Sequence, residues 1–261
     1  LMPRFAANLS MLWPELDVYD RFRAAAEAGF TRVEILFVHL LDLDRVERLL
    51  REHGLALVLF DPAPGNWEAG ERGIACHPDR RDDFDRALDE ALRTAERLGA
   101  RRLNVLTGVP KAGAGEADTL HTLVDNFLRG ARQADAVGAK LLIENINTTD
   151  FPGYFVSSVE RAAEIVRAVN QPNIRLQLDQ YHVGMMGGDA RASLRTYADL
   201  VEHVQIADVP GRHEPGTGQQ PIGAFLADLD SLGYQGAVGL EYRPSTITET
   251  ALSWLPREQR G

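Results

Sequence analysis

Gly138-Ala139-Lys140-Leu141-Leu142-Ile143-Glu144 holds the unit that recurs along this chain: a glycine closing a helical stretch, a short apolar run, and an acid where the run ends. A helix C-terminus favours a left-handed residue, and glycine enters that region at little cost. A short apolar run bounded in this way predicts a strand. Seven further runs have the same character, at residues 5–9, 33–37, 55–60, 103–106, 174–178, 201–206 and 237–240. Helical spacing fills the intervals. Residues 20–28 set Phe22, Ala25 and Ala26 on one side, and residues 84–98 repeat apolar positions at Leu88, Leu92 and Ala95. Gly29, Gly54, Gly99 and Gly233 stand where Gly138 stands, between a helical stretch and the next strand. Eight strand-then-helix units average about 31 residues each, which is the spacing of an α/β-class (β/α)8 TIM barrel. One barrel domain covering residues 1–261 is therefore expected.

A doubly wound open sheet is the competing architecture, and it usually carries a glycine-rich phosphate turn after its first strand. Ser10-Met11-Leu12-Trp13-Pro14 occupies that place instead. No linker, low-complexity tract or charge block marks a domain boundary. The hydrophobic fraction of 44% suits a full-sized globular core. No window approaches the roughly 18 consecutive apolar residues of a membrane span. Residues 1–14 include Arg4, Asn8 and Pro14 and do not read as a secretory signal. Leu1 precedes Met2, which leaves the natural start open. A net charge of -10 disfavours nucleic acid, whose binding rests on neutralising phosphates with Lys and Arg, yet it permits a small anionic substrate in a closed site. Cys76 is the only cysteine, so neither an internal disulfide nor a thiolate metal cluster is available, and a reducing cytoplasm is the expected compartment.

Two connections are long. Residues 61–78 contain Pro62, Pro64, Gly65, Trp67, Gly70 and Gly73, and residues 208–220 contain Pro210, Gly211, Pro215, Gly216 and Gly218. In a barrel both lie on the face that carries active sites. They read either as irregular surface loops or, by position, as a lid.

Four successive strands end on an oxygen-bearing side chain: Glu144 on the fifth, Asp179 on the sixth, Gln205 on the seventh and Glu241 on the eighth. Adjacent strands lie about 4.8 Å apart, so side chains at equivalent heights can converge. Any one of these acids alone reads as a solvated loop residue or a helix cap. Three carboxylates in one pocket repel unless a cation sits among them, and an all-oxygen set suits a hard divalent ion such as Mg2+ or Mn2+.

The runs Glu144-Asn145-Ile146-Asn147, Gln177-Leu178-Asp179-Gln180-Tyr181-His182, His203 to Gly216, and Gly239-Leu240-Glu241-Tyr242-Arg243-Pro244 closely resemble the hydroxypyruvate isomerase family, as does Gly70-Glu71-Arg72-Gly73-Ile74-Ala75-Cys76. The resemblance extends from Arg4 to Trp254. That family belongs to the xylose-isomerase-like barrels, which interconvert aldose and ketose types. The resemblance implies that Glu144, Asp179, Gln205 and Glu241 bind the metal and that Glu144 and Glu241 exchange protons with substrate. It also matches His182, and with it Arg212, to substrate-contacting residues of related sugar epimerases. One departure is visible: Phe37-Val38-His39-Leu40 stands where many relatives carry a Phe-Pro-Tyr-type segment, which bears on the pocket wall and the substrate preferred. Oligomeric state has no readable stripe here, so a homo-oligomer would follow from the family alone.

The expected reaction interconverts hydroxypyruvate and 2-hydroxy-3-oxopropanoate through an enediolate, with the two glutamates as acid and base. Arg212 is the candidate for the substrate carboxylate, because a guanidinium pairs with it bidentately. Arg72 and Arg243 are secondary candidates with loop ion pairs as the alternative. Trp67 reads as a water shield or as core packing, His182 as a substrate contact or a structural hydrogen bond, and Glu34 as a residue holding a ligand or a plain barrel-layer group. Rival functions are a 2-oxo-tetronate isomerase with the same residues, a sugar 3-epimerase, which usually has His where Gln205 stands, a histidine-rich barrel nuclease, and an inactive binding barrel. Of the seven histidines, only His182 is read as close to a proposed ligand, which counts against the nuclease.

Overall fold

A computed structural model describes residues 4–261, so Leu1 and Met2 lie outside the described residues. Every apolar run forms a strand: β1 Arg4–Asn8, β2 Arg32–Ile35, β3 Ala56–Phe60, β4 Arg102–Asn104, β5 Lys140–Glu144, β6 Ile174–Asp179, β7 Val201–Ile206 and β8 Ala237–Leu240. They pair in parallel in chain order, and β8 closes on β1. The helices are α1 Asp20–Glu27, α2 Leu43–Glu52, α3 Arg81–Leu98, α4 Glu116–Ala136, α5 Val159–Val169, α6 Gln180–Met185, α7 Ala190–Tyr197, α8 Ile222–Ser231 and α9 Thr248–Ala251. This is the closed (β/α)8 barrel that the strand count predicts.

The amphipathic stripes seat as their spacing requires. Phe22 and Ala25 of α1 and Leu88, Leu92 and Ala95 of α3 are buried, while Ala26 stays half-buried. The five glycines expected to end helices all take positive φ, from 63° at Gly54 to 99° at Gly29. Helix starts are fixed by side chains where the sequence offers them. Asp42 accepts from the backbone N–H of Asp44 and Arg45, and Ser158 accepts from that of Arg161. Among the described residues, no helix is long and apolar enough to cross a membrane.

What this frame does for the site lies in its register. Glu144 pairs with Gln177, Asp179 with Gln205, and Gln205 with Gly239. Side chains two apart on a strand share a face, so Glu144, Asp179, Gln205 and Glu241 all project inward near the C-terminal end of the barrel. The other four strands add Asn8, Glu34, Asp61 and Asn104 at the same end, and every one of these polar residues is buried. Burial of that many polar groups is costly unless they bond one another.

Candidate active site

The inward-facing polar residues are organised in two storeys. In the lower one, the Glu34 carboxylate receives Gln205 Nε2 at 3.0 Å and Asn8 Nδ2 at 3.2 Å and contacts His203 Nε2. Gln205 Oε1 accepts from Gln177 Nε2 at 2.7 Å, which fixes its amide. Gly239 leaves room for Glu34, because a Cβ there would collide with the carboxylate. Gln205 thus sits level with Asp179 but within this network, and a second lone pair of its oxygen remains for a ligand. Glu34 is a supporting group for Gln205. The expectation that His182 is the one histidine near a proposed ligand is corrected: His203, two residues before Gln205 on the same inward face, buttresses it through Glu34.

The upper storey surrounds a cavity of about 170 Å3 lined by Asp61, Glu144, His182, Arg212 and Glu241 on its polar side and by Phe37, Trp67, Leu106, Ile146, Phe151 and Tyr154 on its apolar side. Glu144, Asp179 and His182 each place one atom within 4.8 Å of the others, a buried group that can hold a metal ion. His182 Nε2 lies 3.6 Å from Glu144 Oε1 and 3.4 Å from Asp179 Oδ2. Asn104 Nδ2 donates to Glu144 Oε2 at 2.6 Å, and Asp179 also caps α6 by accepting from Tyr181 N at 2.9 Å.

Electrostatics say what this pocket lacks. Burial, then the neighbouring Glu241 and Asp179, pushes Glu144 well above the ordinary carboxylate range. Burial pushes Glu241 up to about 8 against the pull of Arg212, and burial also raises Asp179. Asp61, buried and repelled by Glu241 and Glu34, is raised well above its ordinary value, and its Oδ1 has no partner among the described residues. The guanidinium of Arg212 faces Glu241, Asp179 and Glu144. Its Nη2 bonds Glu241 Oε2 at 2.7 Å and approaches Asp179 Oδ2 at 3.4 Å, and its guanidinium lies 4.7 Å from the centre of the Tyr181 ring. Burial opposes its charge, but Glu241, Asp179 and Glu144 outweigh that and hold it protonated. Burial with Arg212 nearby keeps His182 neutral. An excess of buried acids around one small cavity is the donor set of a hard divalent cation, so the residues fit one.

The remaining sequence candidates also reach the cavity. Arg72 stacks 4.1 Å over Trp67 and donates to the carbonyls of Trp67 and Glu71 at 2.9 Å, an arrangement different from the loop ion pair considered for it. Arg243 lines the mouth, is exposed, and has no ion-pair partner among the described residues. Trp67 is half-buried and stands in an aromatic row, 5.0 Å from Phe37 and 6.2 Å from Phe151 between ring centres. In the 208–220 connection the buried Asp208 carboxylate accepts from Val209, Gly216 and Gln220 N–H at 2.8 to 3.0 Å. Arg212 in this loop has φ 56°, a left-handed conformation uncommon for a residue with a side chain. Asp61 and Asn104 are site residues that the reading of strands five to eight passed over. The signal was present, since Asn104 ends β4 and Asp61 directly follows β3.

Residues 22–258 match the Xylose isomerase-like TIM barrel family. The chain is 41% identical over 254 residues to 2-oxo-tetronate isomerase of Cupriavidus necator, covering 97% of this chain and 98% of that one. It is 38% identical over 254 residues to hydroxypyruvate isomerase of Escherichia coli, with the same coverage. A solved structure described as AP endonuclease, family 2, from Brucella melitensis superposes with a TM-score of 0.94 at 42% identity, covering 97% of this chain and 98% of that one. On these findings, the chain belongs to the xylose isomerase-like TIM barrel family and, within it, to the isomerases of the hydroxypyruvate isomerase group.

Proposed function

We propose that residues 1–261 form one barrel domain that interconverts hydroxypyruvate and 2-hydroxy-3-oxopropanoate. The observation that carries this reading is the convergence of buried Glu144, Glu241, His182 and Arg212 on one small cavity, with the buried Asp179 carboxylate next to His182 and Arg212. In the forward direction a proton leaves C3 of hydroxypyruvate and one is delivered to C2, while the hydroxyl proton passes from the C3 oxygen to the C2 oxygen. Glu144, at the end of β5, and Glu241, just after β8, serve as base and acid on the two sides of the substrate. Glu144, Asp179, Gln205 and Glu241 are the residues that would hold a divalent cation, Mg2+ or Mn2+, which when bound stabilises negative charge on two adjacent substrate oxygens. Arg212 binds the substrate carboxylate, with Arg72 and Arg243 favouring an anion at the mouth. His182 donates a hydrogen bond to a substrate oxygen. Trp67 and its aromatic neighbours exclude water from the carbon acid.

Replacing Glu144 or Glu241 by Gln, with Mg2+ or Mn2+ in excess, is expected to lower kcat by about 100-fold or more in each case. Near-normal turnover in either variant removes that residue from the proton transfer.

A second reading, isomerisation of the four-carbon 2-oxo-tetronate, is supported by the Cupriavidus relative and by a groove of about 650 Å3 that shares Met11, Leu36, Phe37, Trp67 and Arg243 with the cavity. Side-by-side kinetics on the three- and four-carbon acids separates the two. A nuclease reading, raised by the description of the Brucella structure, meets a cavity walled by acids in a chain of net charge -10, a poor partner for phosphates.

A further inference from the structure

The His182 imidazole has two distinct faces. Its Nε2 looks into the cavity, toward Glu144 and Asp179. Its Nδ1 looks away, toward the segment that follows β5. There it meets Asn147 twice, at the backbone N–H (3.3 Å) and at the side-chain Nδ2 (2.7 Å).

The side-chain amide of Asn147 has only one orientation that works. Asp150 N–H donates to Asn147 Oδ1 at 2.8 Å, and the Asp150 carboxylate Oδ2 accepts from Asn147 Nδ2 at 2.9 Å. Turning the amide over would set oxygen against carboxylate and N–H against N–H. Tyr181 Oη, donating to the same Asp150 Oδ2 at 2.8 Å, holds that carboxylate in place. Both groups that face Nδ1 are therefore donors, and the ring nitrogen between them must accept. In a neutral imidazole the single proton then sits on Nε2.

We infer that Tyr181, Asp150 and Asn147 are positioning residues that set the polarity of His182, keeping its cavity-facing nitrogen an N–H donor. Two consequences follow. Nε2 has no free lone pair, so His182 contributes to the buried acidic group as a hydrogen-bond donor while the oxygens of its neighbours serve any cation. A donor at that point favours an oxygen that gains negative charge during reaction, which is what the proposed isomerisation offers. The inference rests on that reading for the identity of His182's partner, but its structural core, the tautomer, stands independently.

The test has two arms. The first is a two-bond 1H–15N correlation spectrum of histidine-labelled protein at neutral pH, with His182 assigned by substitution. The wild-type protein is expected to show His182 protonated on Nε2 and bare on Nδ1. Asn147→Asp, which turns the neighbour of Nδ1 from donor to acceptor, is expected to bring a proton to Nδ1. A wild-type His182 protonated on Nδ1 overturns the inference, and this measurement needs no substitution in the relay. The second arm is kinetic. Asn147→Leu is expected to lower kcat/KM about tenfold or more, chiefly through kcat, as loss of an outer partner does for an oriented histidine. The mild Tyr181→Phe change is expected to keep the Nε2 tautomer and to lower kcat/KM less than Asn147→Leu. Turnover of Asn147→Leu within twofold of wild type overturns the positioning role. If the wild-type protein isomerises none of the small oxo-acids, the functional reading falls, while the spectrum still decides the tautomer.

Discussion

Asp61 shows how one side chain takes its state from its surroundings. It directly follows β3 where Glu144 ends β5, yet no described cation or N–H meets its Oδ1, and burial with the charges of Glu241 and Glu34 drives it toward the neutral acid. A neutral amide of the same shape should therefore replace it at little cost. Asp61→Asn is expected to melt within about 2 °C of wild type or above it, given that about 1 kcal/mol moves a domain of this size by 2–4 °C. A fall beyond about 4 °C would mean that the ionised carboxylate has a stabilising partner. Glu144, Asp179, Gln205 and Glu241 were legible in the sequence because each closes an apolar run, and strand pairing does the rest. The arginines were harder to read. Whether a guanidinium in a long loop points at solvent, at a carbonyl or at a buried acid depends on loop conformation, which no periodicity encodes. Arg212 turned inward to Glu241 and Arg72 folded over Trp67, whereas the same residue type at Arg243 remained without an ion pair among the described residues.

At the scale of elements, two features hold the site in shape. On β8, Gly239 gives Glu34 its space, so Gly239→Ala forces the carboxylate off His203 or Gln205. Overpacking of this kind costs about 1–3 kcal/mol, and a thermal melt should show a drop of roughly 2–12 °C. After β7, Asp208 gathers three backbone N–H groups of its own loop. Asp208→Ala leaves those donors without their acceptor. It should make the 208–220 segment cleavable by a protease that spares wild type and should lower kcat/KM, since Arg212 hangs from that loop. Unchanged cleavage and kinetics would show that the loop holds itself by other contacts. The strands and the helix-ending glycines were legible because their signals are local: apolar runs and a residue tolerant of positive φ. The anchoring of this loop by Asp208 was not, because one carboxylate there reads backbone groups up to twelve positions away.

For the molecule as a whole, the excess of buried acid makes stability depend on pH. Glu241 rises from an ordinary 4.5 to about 8 in the folded chain, and Glu144, Asp179 and Asp61 rise in the same direction. Groups raised on folding stabilise the folded state below their unfolded pKa and lose that contribution as pH climbs through the folded one. His182 moves downward from 6.5 and opposes the trend only on the acid side of that value. Metal-stripped protein should therefore melt at lower temperature at pH 8 than at pH 6.5. The gain in melting temperature on adding Mg2+ or Mn2+ should be larger at pH 8, because a cation favours ionised ligands. Equal melting temperatures at the two pH values, with and without cation, would contradict this picture. The ring of inward polar side chains also divides its labour around the circumference. Glu144, Asp179 and Gln205 lie on β5 to β7 and Glu241 just after β8, whereas Phe37, Asp61, Trp67 and Arg72 belong to the segments that follow β2 and β3. On the proposed chemistry the acids of one semicircle handle the proton while residues 36–78 wall the other, so substitutions confined to residues 36–78 should change the length of acid preferred and spare the two glutamates.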